Sequence, residues 1–73
     1  MITRYFVYWL AIPELKTGAV AKPESREYST LHWAQTRCEA VYSGWTACMM
    51  QVTAPTIEQV DAVKQELIDA GQW

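Results

Sequence analysis

The chain has 73 residues, 51% hydrophobic and 19% charged, with a formal net charge of −2. This is the length of one small domain, too apolar for intrinsic disorder and too poor in cations for a bulk electrostatic nucleic-acid binder. Two cysteines cannot build a disulfide-rich scaffold, and no stretch approaches the roughly 18 apolar residues of a membrane span.

Residues Ile2 to Ile12 read as a long strand with both faces apolar: Phe6, Tyr8, Leu10 and Ile12 on one, Tyr5, Val7, Trp9 and Ala11 on the other. A strand of that kind is expected at the centre of a sheet. Met1-Ile2-Thr3-Arg4 before an apolar run imitates the start of a signal peptide. Pro13-Glu14-Leu15-Lys16 follows, however, where a small-residue cleavage site would stand. A cytoplasmic chain is expected, with Cys38 and Cys48 reduced. Pro13 ends the strand, and Glu14 to Gly18 should connect to a second strand over Ala19 to Tyr28. Pro23 lacks a ladder donor and places that strand at a sheet edge or a bulge.

The period then changes. Leu31, Ala34, Cys38, Val41 and Tyr42 fall within about 100° of arc and predict an amphipathic helix over Ser29 to Tyr42. Ser29 is the expected N-cap and Gly44 the expected stop. Trp33, on the polar side, is either the partner of Tyr28 in a hydrophobic staple or an anchor for another protein. Trp45 to Thr53 alternates as a third strand. Thr56, with Gln59 three residues on, caps a second helix whose apolar stripe is Ile57, Val60, Val63, Leu67, Ile68 and Ala70, closed by Gly71.

These elements predict a single α+β domain over residues 1–73. The expected architecture is a ββαβα two-layer sandwich, its antiparallel or mixed three-stranded sheet in order 2-1-3. A right-handed crossover is expected to put both helices on one face. The other face would then be bare, yet neither face of the first strand is polar. If Phe6, Tyr8, Leu10 and Ile12 meet the helices, Tyr5, Trp9, Trp45 and Met49 are the candidate residues of an exposed, interaction-competent surface, unless the 13–28 segment or Gln72-Trp73 folds over it. The reverse assignment exposes Phe6, Tyr8, Leu10 and Ile12 instead. A symmetric homodimer would cover two such patches at once.

Chemistry is scarce. His32 is the one histidine, Cys38 and Cys48 stand alone ten residues apart, and Gly18, Gly44 and Gly71 form no phosphate-binding pattern. No catalytic, metal or cofactor residue is expected, so the chain reads as non-catalytic. Charge is uneven: residues 1–53 carry five basic and four acidic groups (+1), and residues 54–73 carry Lys64 against Glu58, Asp61, Glu66 and Asp69 (−3). Glu58, Glu66 and Asp69 lie on the outer arc of the second helix. They form either a solvated face or a surface for a basic partner.

In size and layout, the run from Tyr28-Ser29-Thr30-Leu31-His32-Trp33-Ala34 through Gly44-Trp45, with the acidic helix after it, resembles small phage or prophage accessory proteins. Some of those inhibit host defence complexes. The resemblance implies a protein-interaction role, by self-association or by binding a host complex. Single-stranded nucleic-acid binding through Tyr5, Tyr8 or Trp9 is the alternative, against which the scarcity of Lys and Arg in the first two strands counts.

Overall fold

A computed structural model describes residues 1–14 and 20–73. The element order is β1 (Ile2–Ala11), β2 (Arg26–Tyr28), α1 (Leu31–Cys38), β3 (Trp45–Ala54) and α2 (Ile57–Asp69). The fold is a small α+β domain whose three-stranded sheet has the order β2-β1-β3. Both pairings of β1 are antiparallel. The β1–β3 ladder runs without a break from Ile2 opposite Ala54 to Ala11 opposite Trp45. Among the described residues no helix is long and apolar enough to cross a membrane.

The helices do not share a face. Phe6, Val52, Val60 and Leu67 form one core, with Ile2, Tyr8, Met50, Ala54, Val63 and Trp73 packed against it. Val7, Trp9 and Ala34 form another, with Tyr5, Tyr28, Cys38, Tyr42, Trp45 and Ala47 around it. Along β1, Ile2, Phe6 and Tyr8 therefore face the core formed with α2, and Tyr5, Val7 and Trp9 the core formed with α1, because successive side chains of a strand point to opposite sides. The arrangement is three-layered, which corrects the expected two-layer sandwich. The reason is visible in β1, where Phe6 and Val7 are both fully buried. Each apolar face needs its own cover. The handedness rule constrains only the crossover that carries α1; α2 follows the last strand and is free to pack on the side left open.

Several boundaries also differ from expectation. β2 keeps only Arg26–Tyr28, because Pro23 breaks the ladder upstream. The turn expected at Gly18 lies outside the described residues. The first helix begins one residue later than expected, with Thr30 rather than Ser29 at the N-cap, and ends at Cys38. Beyond it the chain turns, Val41 is 94% exposed rather than part of an apolar stripe, and Tyr42 bridges to Trp45. Gly44 takes a φ of 88° in that turn, a left-handed conformation that suits glycine; it leads into β3 rather than stopping the helix.

The second helix follows the sequence closely. The Gln59 amide donates to the Thr56 hydroxyl at 3.3 Å. At the other end Gly71 donates to Ile68 and Gln72 to Leu67, the paired bonds of a Schellman closure, with Gly71 at φ 73°. That closure turns Trp73 back onto Phe6, edge to face at 5.5 Å.

Candidate interaction surface

The sheet face expected to be bare is half covered. Trp9 is only 2% exposed. Tyr42 meets its ring edge-on at 5.1 Å, and the Arg37 guanidinium stacks over both Trp9 and Tyr42. The Trp9 indole N–H donates to the Glu24 carbonyl at 3.2 Å, and that of the half-buried Trp45 donates to the Val20 carbonyl at 2.8 Å. A buried indole needs a partner for its N–H, and here both partners belong to the segment before β2. Trp9 and Trp45 thus hold that segment and the α1 layer in place. The expectation that Trp9 faces outward is overturned.

What stays open lies at the other end of the same face. An eight-residue helix spans only about 12 Å, and α1 covers the end of the sheet around Val7 and Trp9. By the β1–β3 register, Thr3, Tyr5, Met49, Gln51 and Thr53 share this face. Tyr5 is half-buried beside Tyr28, whereas Met49 is 41% exposed. Gln51 and Thr53 are exposed, and Thr53 shares a hydroxyl hydrogen bond with Thr3 at 2.9 Å.

This open area adjoins a free strand edge. Because β1 is central, β3 has, among the described residues, a partner strand on one side only. The Ile12 amide donates to the Gly44 carbonyl at 2.8 Å, which fixes the alternation of the ladder. Counting by twos, Thr46, Cys48, Met50 and Val52 turn their backbone groups toward β1. Ala47, Met49, Gln51 and Thr53 turn theirs away. No backbone group among the described residues pairs with that outward row. At its start the Trp45 amide donates to Tyr42, and just past its end stands Pro55, so the open stretch is bounded at both ends. Trp45–Ala54 contains no charged residue and no proline, and the unbroken register leaves no bulge. These are the devices that ordinarily protect an edge. β3 has none of them.

The remaining candidate residues are not gathered here. Trp33 is 60% exposed on the outside of α1, edge-on to His32 at 5.3 Å. The staple with Tyr28 does not form: with Thr30 as N-cap, the fourth helical position that faces inward is Ala34. Glu58, Glu66 and Asp69 are exposed on α2, in the layer opposite Met49. Glu58 sits in the first turn, where the helix dipole favours an anion, and Asp69 accepts from Gln65 at 2.9 Å. Lys64 reaches across to Glu27 of β2 at 3.0 Å and lies over the Trp73 ring.

Cys38 and Cys48 are free and half-buried. Burial, and secondarily the neighbouring Cys48, push the Cys38 thiol above its ordinary range, which lowers its thiolate fraction at neutral pH. Among the described residues there is no pocket for a small molecule and no cluster of three metal-ligating side chains. The edge of β3 is the feature that the sequence patterning missed. Its signals were an uncharged ten-residue strand and a 2-1-3 order that puts this strand outermost. No protein-family model, curated protein or solved structure matches the chain.

Proposed function

We propose that this chain is a non-catalytic protein-interaction module that receives a β-strand from another polypeptide on the outer edge of β3. The observation that carries the reading is the outward row of Ala47, Met49, Gln51 and Thr53, set in a strand without charge, proline or bulge. Strand addition draws affinity from main-chain hydrogen bonds and specificity from the side chains beside them. Here those side chains are Tyr5, Met49 and Gln51 on the open half-face. The small size and a layout that resembles phage accessory proteins support an accessory or inhibitory role of this kind. Nucleic-acid binding on the sheet has less support, because Trp9 lies under Arg37 and Tyr42 and Arg4 is paired with Glu27.

A photo-crosslinking residue placed at Gln51 in the expressed chain tests this, with the same residue at Glu58 as control. Discrete adducts are expected from position 51 and not from position 58. No adduct at 51, or the same adducts from both positions, contradicts the reading.

A further inference from the structure

The open edge selects its occupant by shape before chemistry. Its donors and acceptors alternate along a strand without a bulge, so the partner must itself be extended and have an unpaired edge. One strand that meets this requirement is β3 of a second copy. The open stretch runs from Thr46, just after the Trp45 amide is taken by Tyr42, to Ala54, just before Pro55, and its midpoint is Met50. An antiparallel copy laid against it about that midpoint sets Ala47 opposite Thr53 and Met49 opposite Gln51. Every outward residue then meets an outward residue, as hydrogen-bonded pairing requires. Shifting the centre to Met49 would instead set Trp45, whose amide is already used, against Thr53. The strand carries no charge, so the self-pairing brings no like charges together within the ladder even though the chain is net acidic.

The layer above agrees. α2 packs over both β1 and β3, so a two-fold axis at Met50 places the two α2 helices about two strand spacings, roughly 10 Å, apart. That is the distance at which helices pack. With Lys64 directed at β2 and Val60 and Leu67 directed at the sheet, the flank facing the second copy carries Gln59, Ala62, Glu66 and Ala70. Glu66 is its only charge. The molecule measures 43 × 27 × 14 Å, and its 14 Å dimension fits the width of three strands, the direction that this pairing extends.

We infer that two copies of the chain pair through β3, antiparallel and centred on Met50, joining two three-stranded sheets into one of six strands with the α2 helices side by side. This rests on the strand-pairing reading above and names its occupant.

The purified chain is tested by light scattering across a concentration series, together with Gln51→Pro and Gln51→Lys. The residue 51 amide points away from β1, so proline there removes bonds to the second copy and none within the monomer; lysine keeps the backbone and adds an edge charge. Wild type is expected to approach twice the single-chain mass, and both variants to stay at the single-chain mass with unchanged circular dichroism. In a Cys38→Ser, Cys48→Ser background, Met50→Cys is expected to cross-link to its copy on oxidation by glutathione disulfide. Thr46→Cys is not, being about 26 Å from its counterpart in this register.

A wild type that stays monomeric at millimolar concentration overturns the inference, as does a dimer that both Gln51 variants leave intact. A dimer cross-linked through Thr46 and not Met50 overturns the register. If the isolated chain is monomeric while the photo-crosslinker at Gln51 captures a different protein, the inference fails and the strand-pairing reading stands. If neither occurs, both fail.

Discussion

The two edges of this sheet are built on opposite plans. β2 is three residues long, carries Arg26 and Glu27, and follows Pro23. Arg26 pairs with Glu24 at 3.1 Å, and Glu27 lies between Arg4 at 3.6 Å and Lys64 at 3.0 Å. Short length, charge and proline are the means by which an edge is kept from pairing. β3 is ten residues long, free of bulges and neutral. One sheet of three strands thus has a closed border and an open one. A protective scheme applied to one side and absent from the other singles out the unprotected side as the border on which the proposed pairing rests.

Substitutions at the two borders, and at the strand between them, separate their roles. The largest effects fall on β1, which both edges depend on. Phe6→Ala and Trp9→Ala, one for each layer, are each expected to cost about 3–5 kcal/mol of stability in urea denaturation. A silent change at either position would mean that its layer is not packed as described. Next comes the closed border. Glu27→Ala leaves Arg4 and Lys64 facing each other without their anion, and a loss of about 1–2 kcal/mol is expected, modest because all three side chains are partly solvated. Adding salt should weaken wild type more than this variant. On the open border Gln51→Lys should leave monomer stability within about 0.5 kcal/mol while abolishing association; a large stability loss would show that Gln51 has a structural partner.

The smallest effect is in pH. The Cys38 thiol is raised mainly by burial, so the folded chain holds its proton where the unfolded chain has released it. Its contribution is intact below the ordinary thiol pKa and is lost as pH climbs through the raised value. Denaturation across pH 8–10 should therefore show a declining stability that Cys38→Ser flattens. An equal slope in the two proteins would remove Cys38 as its source.

Much of this fold is legible in the residues. The strand order follows from β1 being apolar on both faces, and the ends of α2 from Thr56, Gln59 and Gly71. The side on which α2 packs is written in the same strand: Phe6 and Val7 both need burial, which calls for a layer on each side. Periodicity marks which side chains share a face but not which helix reaches them, so by sequence Trp9 reads as surface although it is core. The first helix is shorter than its periodicity suggests, because Val41 and Tyr42 continue a 3.6-residue period by coincidence while the local turn at Gly44 claims them. The candidate site was less legible than the fold. An aromatic count directs attention to faces, whereas the open feature is a backbone edge, which no side-chain pattern announces except by the charges it lacks.

Amide hydrogen exchange resolved by residue, followed at low and high protein concentration, addresses the open border most directly. Thr46, Cys48, Met50 and Val52, bonded to β1, should be protected at both concentrations. Ala47, Met49, Gln51 and Thr53 should exchange freely when dilute and become protected when concentrated. Outward amides that exchange at one unchanging rate, whether fast or slow, would contradict an edge that is open in the single chain and closed by pairing.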